Sequence, residues 1–274
     1  MMLATRAPLI VCSLLCAVSA QAADWSSNSI GYRYIPEHSE PGTAKIVGKN
    51  VLNFSHVSGD KWGSNVFNID LLRSTDNDPA RGGSQGAQEW YGFYKRNISI
   101  SALSGNTSGY GFAKDLFLTA RIDAGAKNTA FAPSPTKLQL GVAAALPVSA
   151  GFWEVGIAAY KEVNNNGLAG KVVNFETVPA LTTAWAIPIG PGTFGGFGSY
   201  VAAKGKDGFN ADTANETLLR ATYMFQLTGD SKSGLSAGFG LEYWHNKFGC
   251  DNAKSFVKDS CTATTPMLLI DYKL

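Results

Sequence analysis

Residues 50–72 read NVLNFSHVSGDKWGSNVFNIDLL and divide into two extended segments joined at Ser58-Gly59-Asp60. In the first, Leu52 and Phe54 alternate with Asn53 and Ser55; in the second, Phe67, Ile69 and Leu71 alternate with Asn68 and Asp70. Successive side chains of a strand point to opposite faces, so each segment has one apolar and one polar face. A Gly-Asp pair between such runs marks a hairpin, because glycine tolerates positive φ. Soluble sandwiches also contain amphipathic hairpins. The fold is decided by whether the pattern recurs, and by the solvent its apolar face meets.

The pattern does recur. Upstream, Ile30, Tyr32 and Tyr34 share a face. Downstream, a fourth strand over about 89–102 sets Trp90, Tyr94, Ile98 and Ile100 against Glu89, Tyr91, Lys95 and Asn97. A fifth sets Phe112, Leu116, Leu118, Ala120 and Ile122 against Asp115, Thr119, Arg121 and Asp123. Strands are expected near 138–144, 153–162, 172–187 and 193–204. Two more follow, with Leu219 to Leu227 opposing Glu216 and Arg220, and Leu235 to Tyr243 opposing Glu242 and Trp244. Leu268, Ile270, Tyr272 and Leu274 close the series. Twelve strands result, joined by alternately long and short connections, with aromatic residues such as Trp62, Trp90, Trp153, Trp185 and Tyr243 near their ends. That asymmetry and those girdles predict an all-β fold, a 12-stranded antiparallel transmembrane barrel of the bacterial outer membrane. An even strand number puts both termini in the periplasm. A closed barrel also satisfies every ladder group, as lipid demands.

Composition narrows the functional classes. Residues 1–22 carry Arg6, an apolar run from Leu9 to Val18 and Ala20-Gln21-Ala22, the pattern of a signal peptide cleaved before Ala23, leaving residues 23–274 as the barrel. The 23 Lys and Arg nearly balance 21 Asp and Glu, without the basic stripe of a nucleic-acid partner. No stretch supplies the ~18 uninterrupted apolar residues of a membrane helix. Beyond residue 22 only Cys250 and Cys261 remain, an even pair that in an exported chain favours a disulfide. No metal site is expected from two thiols without a nearby His. No cofactor is implied.

Several dispersed features carry a family resemblance: Asn50-x-Leu52-Asn53-Phe54-x-His56-x-Ser58-Gly59-Asp60, Gly63-Ser64-Asn65 with Asp70, Glu89-x-Tyr91-Gly92, Lys114-Asp115 and Glu242-Tyr243-Trp244-x-Asn246-Lys247. In this order and spacing the chain resembles a divergent branch of the Tsx-like, nucleoside-specific channel-forming outer-membrane proteins. The resemblance implies passive uptake of small polar solutes such as nucleosides, with phage or colicins as further partners at the external loops. The last strand resembles the assembly signal of such barrels, ending in Leu274 where Phe is usual.

Eight-stranded barrels are filled by side chains and sixteen-stranded ones enclose a wide channel, so twelve strands predict a narrow polar lumen. The expected pore lining is Asn53, Asn68, Asp70, Glu89, Tyr91, Asp115, Arg121, Glu216, Arg220, Glu242 and Trp244. Their amides, carboxylates and guanidinium groups can bond hydroxyls and base edges, and aromatic faces can stack on a base. A filled, water-excluding plug of ion pairs uses the same residues. A structural, adhesion or phage-receptor barrel without transport is an alternative. A further alternative is enzymatic: His56, Ser58 and Asp70 have the spacing of outer-membrane lipid hydrolases, in which a base activates Ser and a third group orients the base. The channel reading expects no enzyme activity.

Overall fold

The computed structural model describes residues 23–229 and 233–274, so the signal-peptide reading of residues 1–22 lies outside the described residues. The strands are β1 (Trp25–Ile35), β2 (Lys49–Asp60), β3 (Gly63–Ser74), β4 (Gln88–Ser99), β5 (Asp115–Lys127), β6 (Thr136–Ala145), β7 (Phe152–Asn166), β8 (Lys171–Asn174), β9 (Val178–Ile189), β10 (Gly192–Val201), β11 (Glu216–Gln226), β12 (Gly234–His245) and β13 (Thr262–Lys273). Each wall strand pairs antiparallel with its neighbour, and β1 pairs β13, Ser29 opposite Lys273 through Tyr34 opposite Leu268. β8 pairs only the end of β7 (Asn166 opposite Lys171), so the closed wall has twelve strands. Closure removes sheet edges, which no lipid-exposed sheet can leave unpaired.

Residues 50–72 form the β2–β3 hairpin, in register from Lys49 opposite Ser74 to Asp60 opposite Gly63, so the turn falls at Lys61-Trp62 and the expected joint Ser58-Gly59-Asp60 lies within β2. Its apolar face looks outward: Leu52 and Leu71 are each 50% exposed, whereas Asn53 and Asp70 are buried on the inner face. The same division runs around the wall, with Ile30, Trp90, Leu118, Leu140, Ile157, Leu181, Phe194, Leu219, Phe239 and Ile270 exposed outside. Such an apolar exterior around a polar interior inverts a soluble protein, because the outer solvent is hydrocarbon.

Three expected elements differ. The fourth strand ends at Ser99, and Ile100 opens a short helix, α1 (Ile100–Ser104), instead of continuing the outer face. Ser99 caps it, its Oγ accepting from the Ala102 N–H, and Gly105 closes it at φ 71°. Local capping thus overrides alternation. Residues 100–114 therefore make a long connection at the end where short turns were expected. The eighth expected strand, 172–187, breaks between β8 and β9: the Phe175 N–H donates to the Glu162 carbonyl, the Glu176 N–H to the Lys204 carbonyl, and Phe175 is buried. The ninth stops at Val201, freeing Lys204 to turn inward.

At the end away from the termini, the longer segments fold into the barrel mouth. His38, Glu40 and Val47 from residues 36–48, Lys204 from 202–215 and Lys247 from 246–261 are all buried. A disulfide joins Cys250 and Cys261 beside them, as the cysteine count anticipated.

Candidate functional site

All eleven expected lining residues stand on inward-facing positions of the wall strands. The register sorts them into three levels. Midway along the wall, Arg33 on β1 pairs with Asp70 on β3, and Asn53 Nδ2 donates to Asp70 Oδ1 at 2.6 Å and to Asn68 Oδ1 at 2.8 Å. Arg220 pairs with Glu242 at 2.5 Å, joining β11 to β12, and closure brings this pair close enough to Arg33 and Asp70 to interact electrostatically. On another sector of the wall, Arg121 binds Asp123 through Nε at 2.8 Å and Nη2 at 2.6 Å, while the Tyr91 hydroxyl donates to the same carboxylate at 2.5 Å.

Two of these guanidinium groups lie against aromatic rings. Arg121 Cζ is 3.9 Å from the Phe93 centroid and Arg220 Cζ is 5.1 Å from that of Phe197. A cation held over a ring face gains about 0.5–2 kcal/mol. Each pair is thus a cation–ring plate with a neighbouring carboxylate, Asp123 for Arg121 and Glu242 for Arg220.

Toward the termini, Lys95 and Asn97 on β4 both reach Glu154 on β7, the amide at 2.5 Å. Asp115 is an anchor at this end: it accepts from the Ser99 hydroxyl at 2.5 Å and the Ser101 N–H at 3.1 Å, fixing α1 to the wall. A cavity of about 210 Å³ opens beneath Arg33 and Asn53, lined also by Gly31, Thr222, Ser236 and Asp271. Gly31 leaves this alcove room, since a Cβ there would lie 2.8 Å from Asp271 Oδ1. Asp271 and Ser236 were missed as lining residues, although the alternation of Leu268, Ile270 and Tyr272 already implies that Asp271 faces inward.

The opposite mouth is an ion cluster. Glu40, on the inward-folded 36–48 segment, meets Lys49, Lys127 at 3.2 Å and Lys247 at 3.4 Å. Lys127 also binds Asp78 at 2.8 Å, and Lys49 reaches Glu89 at 3.5 Å. Lys247 Nζ lies 2.6 Å from His38 Nε2, whose Nδ1 is 2.8 Å from Thr265 Oγ1. Lys204 fills the other side, 2.6 Å from Glu162 and 3.7 Å from Glu216. Burial together with the nearby positive charges of Lys247 and Lys49 holds His38 well below the ordinary histidine value. Burial opposes ionisation of Glu40, but the surrounding lysines, Lys247 first, prevail and keep its carboxyl well below the usual range. Burial pulls Lys247 down to about 8 against the attraction of Glu40. Trp244 belongs to this cluster, donating to Glu216 at 2.9 Å and packing edge-on to Phe248 at 4.8 Å. Glu89, Glu216 and Trp244 are therefore mouth residues, above the plates.

The His56, Ser58 and Asp70 constellation is not assembled. His56 and Ser58 face outward, whereas Asp70 faces the lumen and pairs with Arg33. Within one strand an even separation shares a face, but the hairpin turn lies between His56 and Asp70, and the register sets Asn53, not His56, beside Asp70. His56 Nδ1 instead meets Asn28 Oδ1 at 2.7 Å, and Ser58 Oγ accepts from Asn65 at 3.4 Å. Among the described residues no His, Cys, Asp and Glu group could hold a metal ion.

No family model and no curated sequence matches the chain. Among solved structures, it is similar to the translocator domain of the autotransporter NalP from Neisseria meningitidis, at 11% identity and a TM-score of 0.45, covering 97% of this chain and 95% of that one. A bacterial polysaccharide outer-membrane secretin matches at 7% identity and a TM-score of 0.36, over 93% of this chain and 99% of that one. OccK5 (OpdH) from Pseudomonas aeruginosa matches at 8% identity and a TM-score of 0.28, over 93% and 99%. Superpositions this loose transfer no function. The architecture rests on the chain's own ladder and faces: a closed twelve-stranded antiparallel barrel of the bacterial outer membrane.

Proposed function

We propose that the barrel is a narrow, passive channel for small polar solutes, nucleosides among them, as in the Tsx-like proteins its sequence resembles, with the inward-folded segments as its gate. The observation that carries this reading is the lumen wall, where two flat guanidinium–phenyl plates stand beside carboxylates and an alcove of hydroxyl and amide groups. A neutral solute with one flat ring and several hydroxyls suits that lining better than a bare ion, because both charge signs are present and already paired. Passage needs sites strong enough to admit a solute and weak enough to release it. The buried ion cluster at the mouth favours one second reading, a closed barrel that serves as a structural or receptor protein.

Single-channel recording in planar bilayers separates the two. The channel reading expects discrete ion currents that micromolar to millimolar nucleoside partly blocks, with Arg121→Ala and Phe93→Ala weakening the block. Currents that sugars block and nucleosides do not would remove the nucleoside. A silent barrel, even with residues 36–48 shortened, would leave the structural reading.

A further inference from the structure

We infer that the outer wall carries a dedicated site for a phosphorylated, acylated lipid of the outer leaflet, independent of whatever the lumen conducts. A trough of about 690 Å³ lies on the outside of β1–β5 at the long-loop end. Its floor is the cross-strand row Leu52 and Leu71, flanked by Tyr32 on β1 and Trp90 on β4. Ala126 continues the row on β5, and in the next row toward the barrel middle Gly92 and Ala124 extend the slot over β4 and β5, with Ile69 and Phe54 bounding it on β3 and β2. The small residues of β4 and β5 leave a slot beside the Leu52 and Leu71 floor.

The row above is polar. Arg73 sits between Asn50 and Gln88 and is exposed, and no hydrogen bond or ion pair of its guanidinium occurs among the described residues. The charges around it in the mouth, Lys49, Glu89 and Lys127, belong to the inner face and are paired there. Arg73 is thus an uncommitted cation directly above an apolar slot.

The occupant follows from position and chemistry. Leu52, Leu71 and Trp90 face hydrocarbon, so an acyl chain fills the slot. Short turns lie on the periplasmic side of such barrels and longer loops outside, which places Arg73 at outer-leaflet headgroup level. A guanidinium there binds phosphate oxygens in a two-pronged, charge-assisted contact. Neither half suffices alone: the slot floor is apolar, and the one other cation along the trough, Lys127, is held by Glu40 and Asp78.

Native mass spectrometry of the barrel released from detergent tests this, with bisphosphorylated lipid A, its dephosphorylated form and inorganic phosphate as probes. The expected result is one saturable lipid A adduct, about tenfold favoured over the dephosphorylated lipid. Arg73→Gln should abolish that preference, and Leu71→Trp, which fills the slot, should weaken both lipids. Arg73→Gln lies on an exposed rim, and heat-modifiable gel mobility checks its folding. Equal binding by wild type and Arg73→Gln would overturn the proposal. So would binding of inorganic phosphate alone at comparable affinity, or a second copy of the chain in place of lipid.

Discussion

Adjacent residues on β5 illustrate how much one position decides. Leu118 is 48% exposed on the outer wall, while Thr119 faces inward opposite Asn97 and Gly141. A charge on the lipid face of such a barrel costs about 2–4 kcal/mol near the midplane. Leu118→Arg should therefore reduce the folded fraction in urea titrations by a shift of that size. Thr119→Arg should leave stability within about 0.5 kcal/mol and alter conductance instead. Equal effects at both sites would mean that the faces are assigned the wrong way round. The same logic explains Asp70: one residue's shift in register would have put it outside with His56, and the ladder excludes that.

The segment 36–48 is the element whose behaviour should depend most on pH. Its inward fold is held by the Val47 N–H donating to the His38 carbonyl at 3.0 Å and by the contacts of His38 and Glu40 with Lys247, Lys49, Lys127 and Thr265. His38 is neutral in place and returns to the ordinary value of 6.5 when displaced. Below pH 6.5 the displaced form takes up a proton that the docked form refuses, so docking weakens as pH falls. Glu40 adds a loss in the same direction below its ordinary 4.5, down to its docked value. Lys247, at about 8 in place against 10.5 when free, makes docking strengthen as pH rises between those two values. Hydrogen exchange at Val47, corrected for the intrinsic rate, should show protection declining from pH 7 to 5 and rising above pH 8. A His38→Gln variant should lose the first change only. Protection independent of pH would exclude the cluster as a proton-sensitive latch.

For the whole molecule, stability resides in ring closure. The β1–β13 seam and eleven other strand pairings leave no free edge in the wall, so no single loop is needed to hold it. The disulfide between Cys250 and Cys261 bridges only 11 positions within one connection. A loop of that size constrains the unfolded chain by at most about 3 kcal/mol, and here it acts on a connection outside the wall. Reduction should therefore leave the heat-modifiable folded band intact on unheated gels while loosening residues 246–261 to protease. Collapse of the barrel on reduction would show that the mouth, not the ladder, carries the fold.

Strand number, the faces of nearly every strand and the inward placement of the lining residues follow from alternation alone, because period two is a local property and a lipid exterior makes the apolar face continuous. Local chemistry overrode it where Ser99 capped a helix and where Phe175 turned into the mouth. Partnership was not legible. Lys95 and Glu154 lie 59 residues apart and Arg33 and Asp70 lie 37 apart, and only the shear of the closed ring decides which inward residues meet. The filling of the mouth by Glu40, Lys204 and Lys247 was equally hidden, since those residues sit in polar loops whose sequence reads the same whether solvated or folded in. A strand's faces are set by its own residues; the contacts across a barrel are set by all twelve strands at once.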